Sequence, residues 1–219
     1  MTKGAALDDM RATAQAEVRD MRGTLETLTQ PQIDLILGKA RSHYAWADRA
    51  VSDELLHQIF DITKMGPTSM NTCPIRIKFV RSEAGKTRVS KSLKPANVPK
   101  VMGAPVTAIL AYDLAFWTHL PKLFPHEDRR HFFEGKDAYI EDTAFRNSTL
   151  QGAYFMIAAR ALGLDVGAIS GFDNKVVDEE FFAGTSLKSN FLCNLGYADE
   201  TALFQRLPRF DFDDVCEII

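Results

Sequence analysis

The sequence is poor in cysteine. Its three (Cys73, Cys193, Cys216) are widely spaced with no C-x-x-C, which excludes a disulfide framework and a zinc site and leaves no metal expected. Charge of one sign is also missing. A net charge of -3 gives no electrostatic footprint for nucleic acid or an anionic membrane as partner. No apolar run approaches the roughly 20 residues of a membrane span, and the opening MTKGAALDDM is too polar for a secretory signal, so a reducing cytoplasm is the expected setting. Chemical signatures are absent as well: no G-x-G-x-x-G after a strand, no G-x-x-x-x-G-K-[ST] phosphate loop, no H-E-x-x-H and no G-x-S-x-G elbow. Nucleotide-fold dehydrogenases, kinases, zinc hydrolases and serine hydrolases therefore lack their marks. No side chain stands out as catalytic, and a bound cofactor is expected to carry the chemistry.

What is present reads as one domain with a leading appendage. Hydrophobic residues at 46% and charged residues at 25% are ordinary for a globular protein, and 219 residues suffice for a substantial core. Met10, Ala14, Val18, Met21, Leu25 and Leu28 recur at helical spacing, so residues 1–29 are expected to be a helical appendage and residues 30–219 the functional domain. Thr29-Gln30-Pro31 open a second helix with Ile33, Ile36, Leu37 and Ala40 on one face, ending at Arg41-Ser42-His43. Ser52 caps a third, whose Leu55, Leu56, Ile59, Phe60 and Ile62 form the expected core face before Gly66-Pro67. A polar loop bounded by Pro67 and Pro74 precedes a half-buried strand at Ile75, Ile77 and Phe79. Glu83 to Leu93 reads as a basic, solvated helix and Pro95 to Pro105 as irregular. Val106 to Tyr112 is a continuous apolar run, hence a central strand. Leu114 to Lys136, rich in aromatics and long for a plain connection, suits a lid or binding loop.

The most informative stretch is ALGLDVGAISGFD, from Ala161 to Asp173. It ends a buried helix starting near Asp142, stops it at Gly163, runs through a short extended piece and brings Ser170-Gly171 to a turn before a helix capped by Asp173 or Asn174. Backbone amides at such a turn can donate to an electron-rich ligand. Phe191 to Leu195 is the last core strand. The tail is expected to be a partly extended arm with a short helix, because Phe212, Val215 and Ile218 share helical spacing.

Scattered cationic and amide groups remain: Arg41 with Ser42 and His43, Asn71, Asn97 with Lys100, Ser170-Gly171, and Arg206 with Arg209. In order, GPTSMN at Gly66, NVPK at Asn97, APVTAI at Ala104, LPKLFPH at Leu120, TAFRNS at Thr143, ALGLD at Ala161, SGFD at Ser170 and LKSN at Leu187 resemble the FMN-dependent nitroreductase family, and most strongly its reductases of malonic semialdehyde. The resemblance covers Gln32 to the C-terminus, and the ordered set carries it rather than any one motif. It implies an α+β three-layer sandwich, a mixed central sheet wrapped by helices, and an intertwined homodimer with two interfacial FMN sites.

The same resemblance assigns roles. Arg41, Ser42 and His43, with Arg206 and Arg209, bind the phosphate of FMN, a dianion that needs several charge-assisted donors. Pro67, Thr68, Ser69 and Asn71 lie against the flavin of the other subunit, where Cys73 packs as a neutral thiol. Asn97 and Lys100 reach the pyrimidine edge of the ring, a place where a fixed ammonium favours the reduced flavin. Ile169, Ser170 and Gly171 present main-chain amides beside N5. The implied reaction is hydride transfer from NAD(P)H through FMN to a small acceptor, malonic semialdehyde going to 3-hydroxypropanoate. Arg146, Arg129 and His126 are the cations available to an anionic substrate. A nitroaromatic or quinone reductase, and a non-catalytic flavin-storage protein, are the alternatives.

Overall fold

The computed structural model describes residues 3–24 and 27–219. It divides into two compact units, Met1–Lys39 and Ala40–Ile219. In the first, helix α1 (Lys3–Thr24) leaves Met10, Val18 and Met21 exposed, and Leu25 of its expected apolar face lies outside the described residues. Helix α2 (Gln30–Ile33) starts at Thr29, whose N–H donates to Gln32 Oε1 at 2.9 Å, and runs on into a wide turn at Asp34–Gly38.

The second unit is built on a sheet. Helix α3 (Asp53–Thr63) is capped by Ser52, whose Oγ accepts from Leu55 N at 3.2 Å. It buries Leu56, Ile59 and Thr63 but leaves Phe60 and Ile62 42% and 46% exposed, a narrower core stripe than the spacing suggests. Strand β1 (Ile75–Val80), helix α4 (Glu83–Ser90) and helix α5 (Val98–Gly103) follow. Helix α5 replaces the expected irregular stretch, because Pro99 sits in the first turn, where its missing N–H costs nothing. Helix α4 is less solvated than its charge suggests. Val89 is fully buried, and the Lys86 ammonium reaches back to the carbonyls of Met102 and Ala104 at the C-terminal end of α5.

Strand β2 (Val106–Asp113) is buried along its whole length. Short helix α6 (Leu120–Leu123) leads to the long helix α7 (Asp137–Ala161), which Gly163 stops at φ 81. Strand β3 (Asp165–Ile169), helix α8 (Asn174–Phe182) capped by Asp173 through Lys175 N at 2.9 Å, strand β4 (Leu187–Gly196) and one turn of helix α9 (Phe212–Val215) complete the chain.

The strands lie in the order β1-β2-β4-β3 and every neighbouring pair is antiparallel. The expected mixed sheet is thus corrected within the described residues: the parallel element is a lone bridge, Ser42 to Val166, outside the named strands. Pairing direction is a non-local property that no local pattern reports. The three layers are as expected. Alternation along β2 sends Ala108 and Leu110 toward α3 and α7, where Ile59, Phe155 and Ala158 meet them. Ile109 and Ala111 face the other way, into Val89, Val101, Val177 and Phe182 of α4, α5 and α8. The segment after β2 has a small core of its own, with Phe116, Leu120 and Phe133 buried against Tyr112 and Met70 packed at its edge.

Candidate functional site

The C-terminal end of β3 opens into a cavity of about 230 Å³, lined by His43, Tyr44, Asn97, Lys100 and Asn194, with Gly167 to Gly171 as its floor. Four separate parts of the chain converge there. The sheet fixes the arrangement from below: Asn194 of β4, fully buried, donates through Nδ2 to Lys100 O at 3.0 Å and accepts at Oδ1 from Thr107 Oγ1 at 2.7 Å. This ties the first turn of α5 to β2 and β4. On that turn the Lys100 ammonium donates to Asn97 Oδ1 at 2.9 Å, and Asn97 Nδ2 donates to Gly171 O at 3.1 Å. Lys100 Nζ also lies 4.6 Å from the centre of the Tyr44 ring. A cation, an amide and the Ser170-Gly171 turn are therefore held as one unit.

On the other wall, His43 N donates to Val166 O at 3.0 Å and Ser42 bridges Val166. A Cβ on Gly167 would come within 2.4 Å of the His43 carbonyl oxygen, so the absence of a side chain there is what lets the two segments approach. The His43 imidazole is 7% exposed. Its Nε2 lies 3.2 Å from Asp165 Oδ1, and its Nδ1 is buried without a hydrogen-bond partner among the described residues. Burial lowers its pKa, Asp165 opposes that, and the Arg160 and Arg41 charges reinforce it.

Arg41 and Arg206 come together below this wall. Arg206 Nη2 donates to Ala40 O at 2.8 Å, Arg41 donates to Phe204 O, and Arg160 Nη2 donates to Arg41 O at 3.2 Å. Arg209 does not join them in this chain, as its guanidinium caps the carbonyls of Leu207 and Pro208, each at 3.0 Å.

The Pro67 loop does not line the cavity of its own chain. Tyr154 Oη donates to Pro67 O at 3.1 Å, Ser69 N donates to Asn147 Oδ1 at 2.8 Å, and Asn71 Nδ2 donates to Leu123 O at 2.8 Å. Thr68 Oγ1 accepts from Cys73 N at 3.2 Å. Met70, Asn71 and Cys73 have φ of 49, 52 and 40, a left-handed backbone that non-glycine residues rarely adopt. The Cys73 thiol does more than pack, since Sγ donates to Asn71 Oδ1 at 3.2 Å. Arg146 pairs with Asp142 along α7 at 2.9 Å, Arg129 pairs with Glu127 at 2.6 Å, and His126 stacks edge-on against Phe124 with centroids 5.6 Å apart. None of the three lines the cavity.

Sequence reasoning missed Tyr44 and Asn194. Asn194 had a signal, an amide in the middle of the apolar strand Phe191 to Leu195, where only a hydrogen-bonded role repays burial. A larger groove of about 690 Å³ runs beside β1, but Leu56, Phe60, Ile75, Ile77 and Phe79 make it mainly apolar and it holds none of the expected site residues. Among the described residues no cluster of His, Cys, Asp and Glu could hold a metal ion, and no helix is long and apolar enough to cross a membrane.

A family profile described as the nitroreductase family matches residues 37–197. A protein of Burkholderia lata, provisionally named NADH dehydrogenase/NAD(P)H nitroreductase, is 55% identical over 194 residues, covering 89% of this chain and 100% of its own. One of the same name from Polynucleobacter asymbioticus is 50% identical over 88% of this chain and 98% of its own. Among solved structures, a provisionally named nitroreductase of Exiguobacterium sibiricum, in complex with FMN, superposes with TM-score 0.78 at 19% identity, covering 88% of this chain and 99% of that one. A provisionally named nitroreductase of Bacillus subtilis also gives TM-score 0.78, at 16% identity, over 87% and 100%. Fold and sequence agree, and the chain belongs to the nitroreductase family.

Proposed function

We propose that the protein is an FMN-dependent NAD(P)H oxidoreductase acting as a cytoplasmic homodimer. The observation that carries this is the locked unit of Lys100, Asn97 and the Ser170-Gly171 turn on the cavity wall. These groups fit a flavin. An ammonium and a carboxamide suit the electron-rich pyrimidine edge, the floor from Gly167 to Gly171 offers main-chain groups to a ring, and Arg41 and Arg206 stand where a phosphate needs cations. Bound there, FMN would supply hydride transfer at N5 between NAD(P)H and an acceptor.

The chain's own residues then bind and orient. Asn97 and Lys100 hold the ring edge, and Ile169, Ser170 and Gly171 set its depth. Arg41, Ser42 and His43 receive the phosphate, with Arg206 and with Arg209 turned inward from the tail. The cavity of about 230 Å³ is smaller than the roughly 300 Å³ at which ligand pockets begin, which supports a second chain completing the site through its Pro67, Thr68, Ser69 and Asn71. Uncovered apolar side chains also support a homodimer, among them Phe145 and Leu150 on α7 and Phe204, Leu207 and Phe210 on the tail. Its three free cysteines suit a reducing compartment.

For the acceptor we propose malonic semialdehyde, reduced to 3-hydroxypropanoate, with Arg146, Arg129 and His126 as the cations available to its carboxylate. The second reading, a nitroaromatic or quinone reductase, is favoured by the names of the 55% and 50% identical relatives. The test is the absorbance spectrum of purified protein after FMN reconstitution. A flavin spectrum that NADH or NADPH bleaches and malonic semialdehyde restores is the expected result. A colourless protein refutes the proposal, an unbleachable one indicates flavin storage, and recovery with a nitroaromatic but not the aldehyde selects the second reading.

A further inference from the structure

The cations available to a substrate are not held alike. Arg146 closes an i to i+4 pair with Asp142 and is 70% exposed, an ordinary solvated helix pair. Arg129 packs on two aromatic rings, its guanidinium carbon 5.3 Å from the centroid of Phe124 and 5.4 Å from that of Phe132. Its Nη2 meets Glu127 Oε2 at 2.6 Å, while its Nε is buried with no hydrogen-bond partner among the described residues. A buried donor left without an acceptor is costly and unusual in a native fold. The edge formed by Nε and Nη2 is shaped to take both oxygens of one carboxylate side-on. Glu127 is only two positions away in the chain, is 53% exposed, and engages that edge through Nη2 alone.

We propose that Arg129 is the carboxylate anchor of the acceptor site and that Glu127 holds its place, giving way when a substrate carboxylate takes Nε and Nη2 together. The proposal rests on the oxidoreductase reading and narrows it to small monocarboxylates carrying a reducible group. Contact with both rings limits the freedom of the guanidinium before a ligand arrives. Asp128, the other nearby carboxylate, does not compete, because Arg130 already holds it at 2.6 Å. The anchor is also tied to the part of the chain expected at a flavin. Asn71 Nδ2 donates to Leu123 O at 2.8 Å, and Met70 packs on the core of Phe116, Leu120 and Phe133, so the Pro67 loop is packed against the segment that carries Arg129.

The test compares 4-nitrobenzoate with nitrobenzene, matched but for the carboxylate, by calorimetric titration of the FMN-loaded protein without NAD(P)H. Arg129→Gln is expected to weaken 4-nitrobenzoate about tenfold or more, the scale of a lost charge-assisted pair, and to leave nitrobenzene unchanged. Arg129→Lys, which keeps the charge and loses the fork, falls between. Glu127→Gln, an exposed change safe for folding, tightens 4-nitrobenzoate about two- to fivefold, as removal of a surface ion pair allows. Equal weakening of both probes in Arg129→Gln assigns the residue a structural role and overturns the proposal. So does a Glu127→Gln protein that binds 4-nitrobenzoate no tighter than wild type. Binding is read without turnover, so failure of NAD(P)H to bleach the flavin counts against the oxidoreductase reading alone.

Discussion

Gly167→Ala is the substitution by which the close approach of two chain segments at the cavity can be measured. The added Cβ would stand 2.4 Å from the His43 carbonyl oxygen and 3.3 Å from Trp46 Cζ2. The first contact is backbone and cannot rotate away, so residues 42–44 must move off β3. That movement stretches the His43 N to Val166 O bond of 3.0 Å, a loss of about 1 kcal/mol, and overpacks a buried position at about 1–3 kcal/mol. The sum, about 2–4 kcal/mol, lowers a urea midpoint by about 1–2 M at an m-value near 2 kcal/mol/M. Because His43 and Tyr44 line the cavity, FMN affinity should fall with stability. Gly163→Ala is the control. A Cβ on Gly163 would meet nothing within 4 Å, but the backbone there has a φ of 81, so an Ala costs about 1–2 kcal/mol of left-handed strain and leaves FMN affinity alone. A Gly167→Ala protein with the wild-type midpoint, or one destabilised with unchanged FMN affinity, refutes the reasoning.

Lys100→Met keeps the length of the side chain and removes the ammonium that Asn97 orients at 2.9 Å. FMN fluorescence titration should show about a 10- to 100-fold weaker Kd, the equivalent of about 1.5–3 kcal/mol for a charge-assisted contact, with the urea midpoint little changed. His43 makes stability depend on pH. Burial holds its pKa below the ordinary 6.5, so as pH falls below that value the unfolded chain takes up a proton that the folded one refuses. Stability from this source is complete above the ordinary pKa and is lost as pH drops toward the folded value. Urea midpoints between about pH 7.5 and 5.5 should fall less steeply in His43→Gln than in wild type; parallel slopes refute the assignment. Burial pushes the Cys193 thiol up to about 12, so a thiol reagent should titrate exposed Cys216 at once, half-buried Cys73 more slowly, and Cys193 only in denaturant. Reaction of all three in the native protein would contradict that burial.

Features governed by neighbouring residues are legible in the sequence. Gly163 stops α7, Asp173 caps α8, Ser52 caps α3 and the apolar run at Val106 is the central strand, each because the signal and the structure lie within a few residues of each other. What is not legible requires knowledge of a distant partner. Proline at position 99 looks like a breaker in the sequence, although the first turn of a helix tolerates it. Without α5, the carbonyls that bury Lys86 have no place in a sequence reading, and α4 looks solvated. The antiparallel order of the sheet and the roles of Tyr44 and Asn194 depend likewise on segments far apart in the chain. Of the residues that the resemblance supplies as an ordered set, His43, Asn97, Lys100, Ile169, Ser170 and Gly171 meet at one cavity.

The residues that do not meet there carry a physical argument of their own. Met70, Asn71 and Cys73 each hold a left-handed backbone, at a cost of about 1–3 kcal/mol apiece, yet the loop lines none of the cavity in its own chain. The loop is nonetheless over-determined, by Tyr154 on Pro67, Asn147 on Ser69 and Leu123 on Asn71. Strain held in place by three other segments of the chain suits a surface shaped for something outside it. The cavity at β3, small for a ligand in a single chain, is what such a surface would complete. The homodimer proposed above, in which each Pro67 loop closes the other chain's cavity, accounts for both with one assumption.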